Sequence, residues 1–331
     1  MKQSSVGYYR CPTCRYGDLG ILRADENLCN SEIIEGHLQC SKCYSTYAIR
    51  NAVPRFVLEE RYTDSFGFQW NLHRKTQLDS YTGLQVSRNR LFEATGWPKN
   101  LEGQLILEVG SGAGRFTEIL LKVGATVFSF DYSSAVDANW SNNGLHPNLH
   151  LFQGDIYNIP IREGVFDKVL CLGVIQHTPD PEKAFKSLIK HLRPGGELVL
   201  DVYPKRLTSV LRWKYLLRPL TTRMDKERLY KIIRLAVPFL LPMTMALKRV
   251  FGELGARLVP IVEYSDLGLP YRLNMEWSIL DTFDMYSPAH DYPQSISSVE
   301  QWFKDAHFVD ASVGYGPNGV VAKGRRRKSA S

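Results

Sequence analysis

The stretch Gln104-Leu-Ile-Leu-Glu-Val-Gly110 is a short, almost wholly apolar run, and it opens straight into Gly110-Ser-Gly112-Ala-Gly114-Arg-Phe116. Helical patterning then begins at Thr117–Val123. A buried strand feeding a glycine loop and a helix is the start of a parallel α/β unit, because glycine is needed where the backbone turns sharply and where a ligand must come close to the main chain. A lone G-x-G-x-G is weak, and its strand–loop–helix context is what gives it weight. The spacing also rules out a dinucleotide fingerprint, whose third glycine would fall at 115, where this chain has Arg115.

Short apolar runs and amphipathic segments keep alternating after the loop, as a doubly wound sheet requires. Thr126–Phe130 ends in Asp131, Leu149–Phe152 leads into Gly154-Asp155-Ile156, and Val165–Leu172 is followed by Gly173-Val-Ile-Gln-His177. Leu192-Arg-Pro-Gly-Gly196 precedes a strand over Glu197–Val202. The ordered series E-V-G-S-G-A-G, F-D-Y-S, Q-G-D-I, F-D-K-V-L-C-L-G-V-I-Q-H and L-R-P-G-G-E-L resembles the class I S-adenosylmethionine-dependent methyltransferases over about residues 100–203. That resemblance implies a Rossmann-like, seven-stranded sheet with S-adenosyl-L-methionine as cofactor. Gly110, Gly112 and Gly114 would shape the loop around its methionine part, with Glu108 near the amino group. Asp131 would bind the ribose, Asp155 and Ile156 would hold the adenine, and Leu172 and Gly173 would line the sulfonium region. Taken singly, Asp131 and Asp155 also read as ordinary caps after strands. The family sheet closes with a helix and an antiparallel hairpin, matched here by Ser298–Ala306, Phe308–Gly314 and Gly319–Lys323, so that residues 204–290 become an insertion before the last helix.

Cys11-Pro-Thr-Cys14 and Cys40-Ser-Lys-Cys43 present two thiol pairs, each from one tight turn. Brought together they would make a tetrahedral tetrathiolate site holding structural Zn2+ in a small ribbon, whose core is too thin to fold without metal. The competing reading is a pair of redox motifs. Cys29 and Cys171 stand alone, Cys29 as a spectator near the second ribbon strand. From Cys11 to the exit Ile49-Arg-Asn-Ala-Val-Pro-Arg-Phe56, the first 58 residues or so resemble the Trm112-like zinc-ribbon family. A ribbon can bind nucleic acid, another protein or its own neighbouring domain.

The organisation expected is therefore a ribbon over 1–58, a helical cap or connector over 59–99, the cofactor-binding core over 100–203, a basic helical insertion over 204–290, a closing helix and hairpin over 291–324, and a basic tail over 325–331. The connector pattern Tyr62–Trp97 predicts one or two amphipathic helices. The net charge of +7 is unevenly spread. Residues 205–260 hold 13 Lys/Arg against Asp225, Glu227 and Glu253, and 323–328 add five more positives. Outside these segments the chain is net acidic, so the charge bears on docking or on the acceptor and not on the cofactor. Leu235–Leu247, the longest apolar stretch, contains Pro238 and Pro242 and reads as too short and broken to span a membrane, which takes about 20 residues. A cytoplasmic protein is expected, with peripheral contact at the inner membrane surface through 205–260 as an option. A basic amphipathic segment can also grip a polyanion or simply form a solvated lid over the substrate.

Methyl transfer from a sulfonium is an in-line displacement, and an acceptor oxygen or nitrogen of raised pKa needs a base. His177, just past the fourth strand, leads by position, with a structural role as its competitor, and Tyr203, Tyr286, His290 and Tyr292 follow. Three functions compete: transfer to a small-molecule, glycan-precursor or lipid-linked acceptor, RNA methylation with ribbon and basic segments as docking surfaces, and a non-catalytic scaffold. Asp201-Val-Tyr203-Pro204 is not the Asn/Asp-Pro-Pro-Tyr motif of amino-group methylation, and no cysteine sits in a Pro-Cys context.

Overall fold

The computed structural model describes residues 1–27, 32–57, 62–205 and 213–328. The expectations placed on Cys29, on the start of the basic insertion at 206–212 and on the last three residues of the tail lie outside the described residues.

The N-terminal module is a four-stranded antiparallel sheet of β1 (Leu19–Asn27), β2 (Glu32–Cys40), β3 (Thr46–Arg50) and β4 (Val53–Pro54), in that order. Ile33, Leu38, Ile49 and Val53 are its few fully buried aliphatic side chains, a core too small for independent stability. It does not stand alone. Tyr9 and Phe56 pack on Phe152 of the neighbouring domain, with ring centroids 5.7 and 6.3 Å apart. Arg55 Nη2 reaches Asp137 Oδ1 at 2.5 Å, and the Phe56 N–H donates to the Gln153 carbonyl. Of the three partners open to a ribbon, this one covers its own neighbour.

Three short helices follow: α1 (Asp64–Leu72), α2 (Asp79–Thr82) and α3 (Val86–Thr95). The core then alternates β5 (Leu105–Val109), α4 (Arg115–Lys122), β6 (Thr126–Asp131), α5 (Ala135–Asn143), β7 (Leu149–Gln153), β8 (Phe166–Cys171), α6 (Pro181–Ile189) and β9 (Leu192–Val202). The helix after the glycine loop begins two residues earlier than its pattern predicts, because Gly114 serves as its cap. Strands β5 to β9 pair in parallel, being buried on both faces as apolar runs of this kind must be. The insertion is α7 (Trp213–Thr221), α8 (Lys226–Ala256) and α9 (Tyr271–Tyr286), and α10 (Ile296–Asp305), β10 (Val309–Gly316) and β11 (Gly319–Arg325) close the chain. The sheet runs β10-β11-β9-β8-β5-β6-β7, with β11 antiparallel to β9 and β10 antiparallel to β11. It is the α/β, seven-stranded Rossmann-like sheet expected. Its order reverses between β5 and β8, and the crevice at the carboxyl ends of these strands is where such sheets bind ligands.

One expectation fails. The apolar stretch with Pro238 and Pro242 is not broken but is helical throughout, inside the 31-residue span Lys226–Ala256 that kinks only at Gly252 and is long and apolar enough to cross a membrane by length and composition. Each proline removes one backbone donor. The helix survives because Leu229, Ile233, Val237 and Leu241, four residues apart, are all buried against Phe283 and Tyr286 of α9, and because Asp225 caps the Arg228 N–H at 2.9 Å. Its irregular point is Gly252, at φ 60°.

Candidate active site

A cavity of about 1150 Å³ opens at the carboxyl ends of β5, β6 and β8. Its floor is the glycine loop. Gly110 and Gly112 have φ of 71° and 52°, the left-handed region that disfavours side chains. A Cβ on Gly110 would collide with Val174, and one on Gly112 would sit 3.1 Å from the Trp70 ring of α1. Ser111 lines the cavity with its buried Oγ unpartnered among the described residues, a polar atom left for a ligand.

Asp131, at the end of β6, braces this loop. Its Oδ2 accepts from the Gly112 N–H at 2.9 Å, while Oδ1 accepts from the Ser133 N–H and Oγ–H at 2.9 and 2.8 Å. Enclosure in the cavity wall pushes its carboxyl above the ordinary value against these bonds. Tyr132 and Ile156 line the same end, and Tyr62 stacks on Tyr132 at 5.2 Å. Leu172 and Gly173 line the same cavity. The Gly173 N–H donates to the Asp201 carboxylate, which also binds Arg90 Nη2 at 2.8 Å.

The far half is walled by α1, α3, α9 and the loop after β8. His177 projects there between Phe66 and Tyr203. Its Nδ1 lies 3.0 Å from the His290 carbonyl, which can only accept, so Nδ1 carries the proton and Nε2 holds the free lone pair. Burial lowers the pKa of the ring, keeping it neutral. Arg115 enters the wall at the head of α4, donating to Gln77 Oε1 at 2.5 Å and Ser87 Oγ at 3.1 Å. Burial lowers its pKa to about 10. From α9 come Asp284, bound to Gln69, and Asp281, bound to Tyr264 and raised to about 6 by burial.

The structure thus brings Gly110, Gly112, Asp131, Ile156, Leu172, Gly173 and His177 to one cavity. Glu108 and Asp155, expected at the cofactor, do not line it; Gly114 does not line it either, yet at φ 86° it shapes the loop from behind, as expected of it. The Glu108 side chain turns from the loop into the fold, where Oε2 accepts from Thr117 Oγ1 at 2.5 Å and Ser129 Oγ at 2.8 Å. Its Oε1 is buried with no protein partner among the described residues, and burial lifts the pKa to about 7. Gly114 makes room for Asn139 of α5, which a Cβ would strike. Asp155 caps the next turn, accepting from the Tyr157 N–H at 2.8 Å. Of the weaker base candidates only Tyr203 reaches the cavity. Tyr286 instead donates to the Pro260 carbonyl at 2.9 Å, and His290 stacks on Tyr292. Arg115, Asp281 and Asp284 were missed. An arginine directly after a glycine loop was a readable signal for Arg115, whereas the α9 residues lie in the insertion, outside every motif of the cofactor-binding core.

A second constellation is the cysteine cluster. The Sγ atoms of Cys11, Cys14, Cys40 and Cys43 all lie within 4.8 Å of one another, with Cys11–Cys43 at 3.5 Å and Cys14–Cys40 at 3.6 Å. Four Zn–S bonds of about 2.3 Å in a tetrahedron give edges of about 3.8 Å. The two turns match: the N–H of Arg15 bonds the Cys11 carbonyl, that of Tyr44 bonds the Cys40 carbonyl, and both residues have left-handed φ, 62° and 59°. The cluster is compatible with a zinc ribbon.

Residues 107–200 match the methyltransferase domain family. The tRNA U34 carboxymethyltransferase of Nautilia profundicola is 32% identical over 105 residues, 31% of this chain and 35% of that protein. The ubiquinone biosynthesis O-methyltransferase of Coxiella burnetii is 28% identical over 113 residues, 34% of this chain and 48% of that protein. These alignments span less than half of either relative. Among solved structures, a chain of the Haloferax volcanii complex between the Trm112 methyltransferase activator and a candidate methyltransferase aligns with 80% of this chain and 99% of its own, at 12% identity and a TM-score of 0.48, too loose a likeness to argue from. The match over 107–200, together with the strand order and the glycine loop of the cavity floor, makes this part of the chain a methyltransferase domain of the S-adenosylmethionine-dependent class.

Proposed function

We propose that the chain transfers a methyl group from S-adenosylmethionine to an oxygen or nitrogen of a small-molecule, glycan-precursor or lipid-linked acceptor. The observation that carries this is the one cavity that the glycine loop, Asp131 and His177 line together. Pockets for one drug-sized ligand measure about 300–1,000 Å³, so about 1150 Å³ can enclose cofactor and acceptor together.

The orphaned Ser111 Oγ and the Cβ-intolerant loop fit the cofactor. Gly110 and Gly112 would let the methionine part approach the backbone, Asp131 would accept from the ribose hydroxyls, and Tyr132 and Ile156 would hold the adenine. The bound sulfonium supplies an electrophilic methyl carbon. Phe66, Trp70 and Tyr203 would keep water from that carbon and align the acceptor. His177, neutral and with Nε2 free, would take the acceptor proton, while His290 fixes its tautomer. A base so placed contributes about 10²–10⁴-fold. Cys11, Cys14, Cys40 and Cys43 would hold one Zn2+ that takes no part in the transfer.

The test is isotopic methyl transfer from labelled cofactor into cell extract, fractionated into RNA, lipid and soluble pools. Label in the soluble or lipid pool that disappears with Asp131→Ala supports the reading. Label in RNA would move the acceptor to the class of the tRNA-acting relative, and failure to bind S-adenosylhomocysteine would leave only a scaffold.

A further inference from the structure

The long helix α8 carries a face that nothing in the described fold covers. Ile232, Leu235, Phe239, Met243 and Val250, all before the kink at Gly252, follow one another at spacings close to whole helical turns, so they form one stripe. All are exposed, Leu235 at 70%, Phe239 at 81% and Val250 at 71%. The opposite face, with Leu229, Ile233, Val237 and Leu241, is spent on α9. An apolar surface of this length on a folded domain marks a binding face.

Charge decides the occupant. At 3.6 residues per turn, Lys231 and Arg249 fall at the same angle, about 80° round the helix from Phe239; Arg228 stands just before the stripe and Arg257 beyond the kink at Gly252. All four are exposed, and none forms an ion pair among the described residues. The nearby acids are engaged otherwise or few: Asp225 caps the helix, Glu253 pairs with Lys248 at 3.3 Å, and Glu227 remains. Self-association through a twofold axis would press this basic border against itself. An RNA would leave the apolar stripe in water. Apolar centre and cationic flank together fit the interfacial zone of an anionic bilayer. Crossing the bilayer is disfavoured, since it would strip Leu229 to Leu241 from α9 and draw Lys231 and Arg234 into hydrocarbon.

We propose that α8 lies along an anionic membrane surface, its Ile232–Val250 stripe among the acyl chains and Lys231 and Arg249 at the headgroups. This rests on the exposed face and its charges, and stands whether or not the proposed acceptor is right.

The test is partition of the full chain onto vesicles of phosphatidylcholine alone and of phosphatidylcholine mixed with phosphatidylserine. Binding should be strong only on the mixed vesicles, fall about thirtyfold in Lys231→Gln/Arg249→Gln, and vanish in Leu235→Glu/Phe239→Glu with S-adenosylhomocysteine binding intact. Should the last variant not fold, Phe239→Trp, which keeps the stripe apolar, must gain emission quenched by brominated lipid. Equal or absent binding to both vesicles would overturn the proposal. So would a lipid-free dimer that Leu235→Glu/Phe239→Glu dissociates, or membrane protein that resists alkaline carbonate extraction.

Discussion

Asp131 links the cofactor reading to numbers. In the structure one carboxylate oxygen holds the Gly112 N–H and the other holds both donors of Ser133. A carboxylate offers about four lone-pair positions; the Gly112 and Ser133 donors take three and the Tyr132 N–H also bears on the group, so a ribose hydroxyl would have to share an oxygen with one of them. A hydrogen bond to a charged group is worth about 1.5–3 kcal/mol, and an amide left without its acceptor costs about 1 kcal/mol more. Asp131→Ala loses both, so S-adenosylhomocysteine should bind about 10²–10³-fold more weakly. Asp131→Asn is the sharper variant. Ser133 presents two donors and will keep the amide oxygen, so the NH2 must face the Gly112 N–H. Two donors then meet where the loop is braced, and the expected loss is about 10–100-fold. Isothermal calorimetry, with melting temperature as the folding control, measures both. Binding by Asp131→Asn within about threefold of the parent would show that the charge is not used and refute the ribose assignment.

The remaining predictions bear on other parts of the fold. Glu108 has its folded pKa raised to about 7 from an ordinary 4.5, so the stability linked to its protonation is full below about 4.5 and lost as pH rises through about 7. Glu108→Gln should therefore gain on the parent over that window, by up to about 3 kcal/mol, and a melting-temperature difference constant with pH would contradict this. Elemental analysis should find about one zinc per chain, and Cys40→Ser should lose it and melt lower, because the ribbon core is continuous with the main core through Tyr9, Phe56 and Phe152. Pro242→Ala restores a donor inside α8 and should stabilise the protein, by at most the roughly 3 kcal/mol that separates these residues in a helix interior. Destabilisation would mean that the helix needs its irregularity there.

What could be read in the sequence, and what could not, divides along one physical line. The glycine loop, Asp131, Ile156, Leu172 and Gly173 belong to strands whose ends converge by the topology of a doubly wound sheet, so local pattern and order were enough to place them. Glu108 and Asp155 sit at those same strand ends, yet their side chains were captured by nearer donors: Thr117 and Ser129 in one case, the Tyr157 N–H in the other. Sequence locates a strand end but not the competition for a carboxylate there. The acceptor half depends on long-range packing, with α1 and α9 meeting across more than 200 residues at Gln69 and Asp284, and no local rule brings them together. α8 failed for the opposite reason. Proline is a true breaker of isolated helices, but here the buried side chains of one face hold the helix across both prolines, so tertiary packing overrides a local signal that is ordinarily reliable. That override also leaves the apolar stripe unbroken over several turns, which a chain kinked at Pro238 and Pro242 could not present to a flat surface.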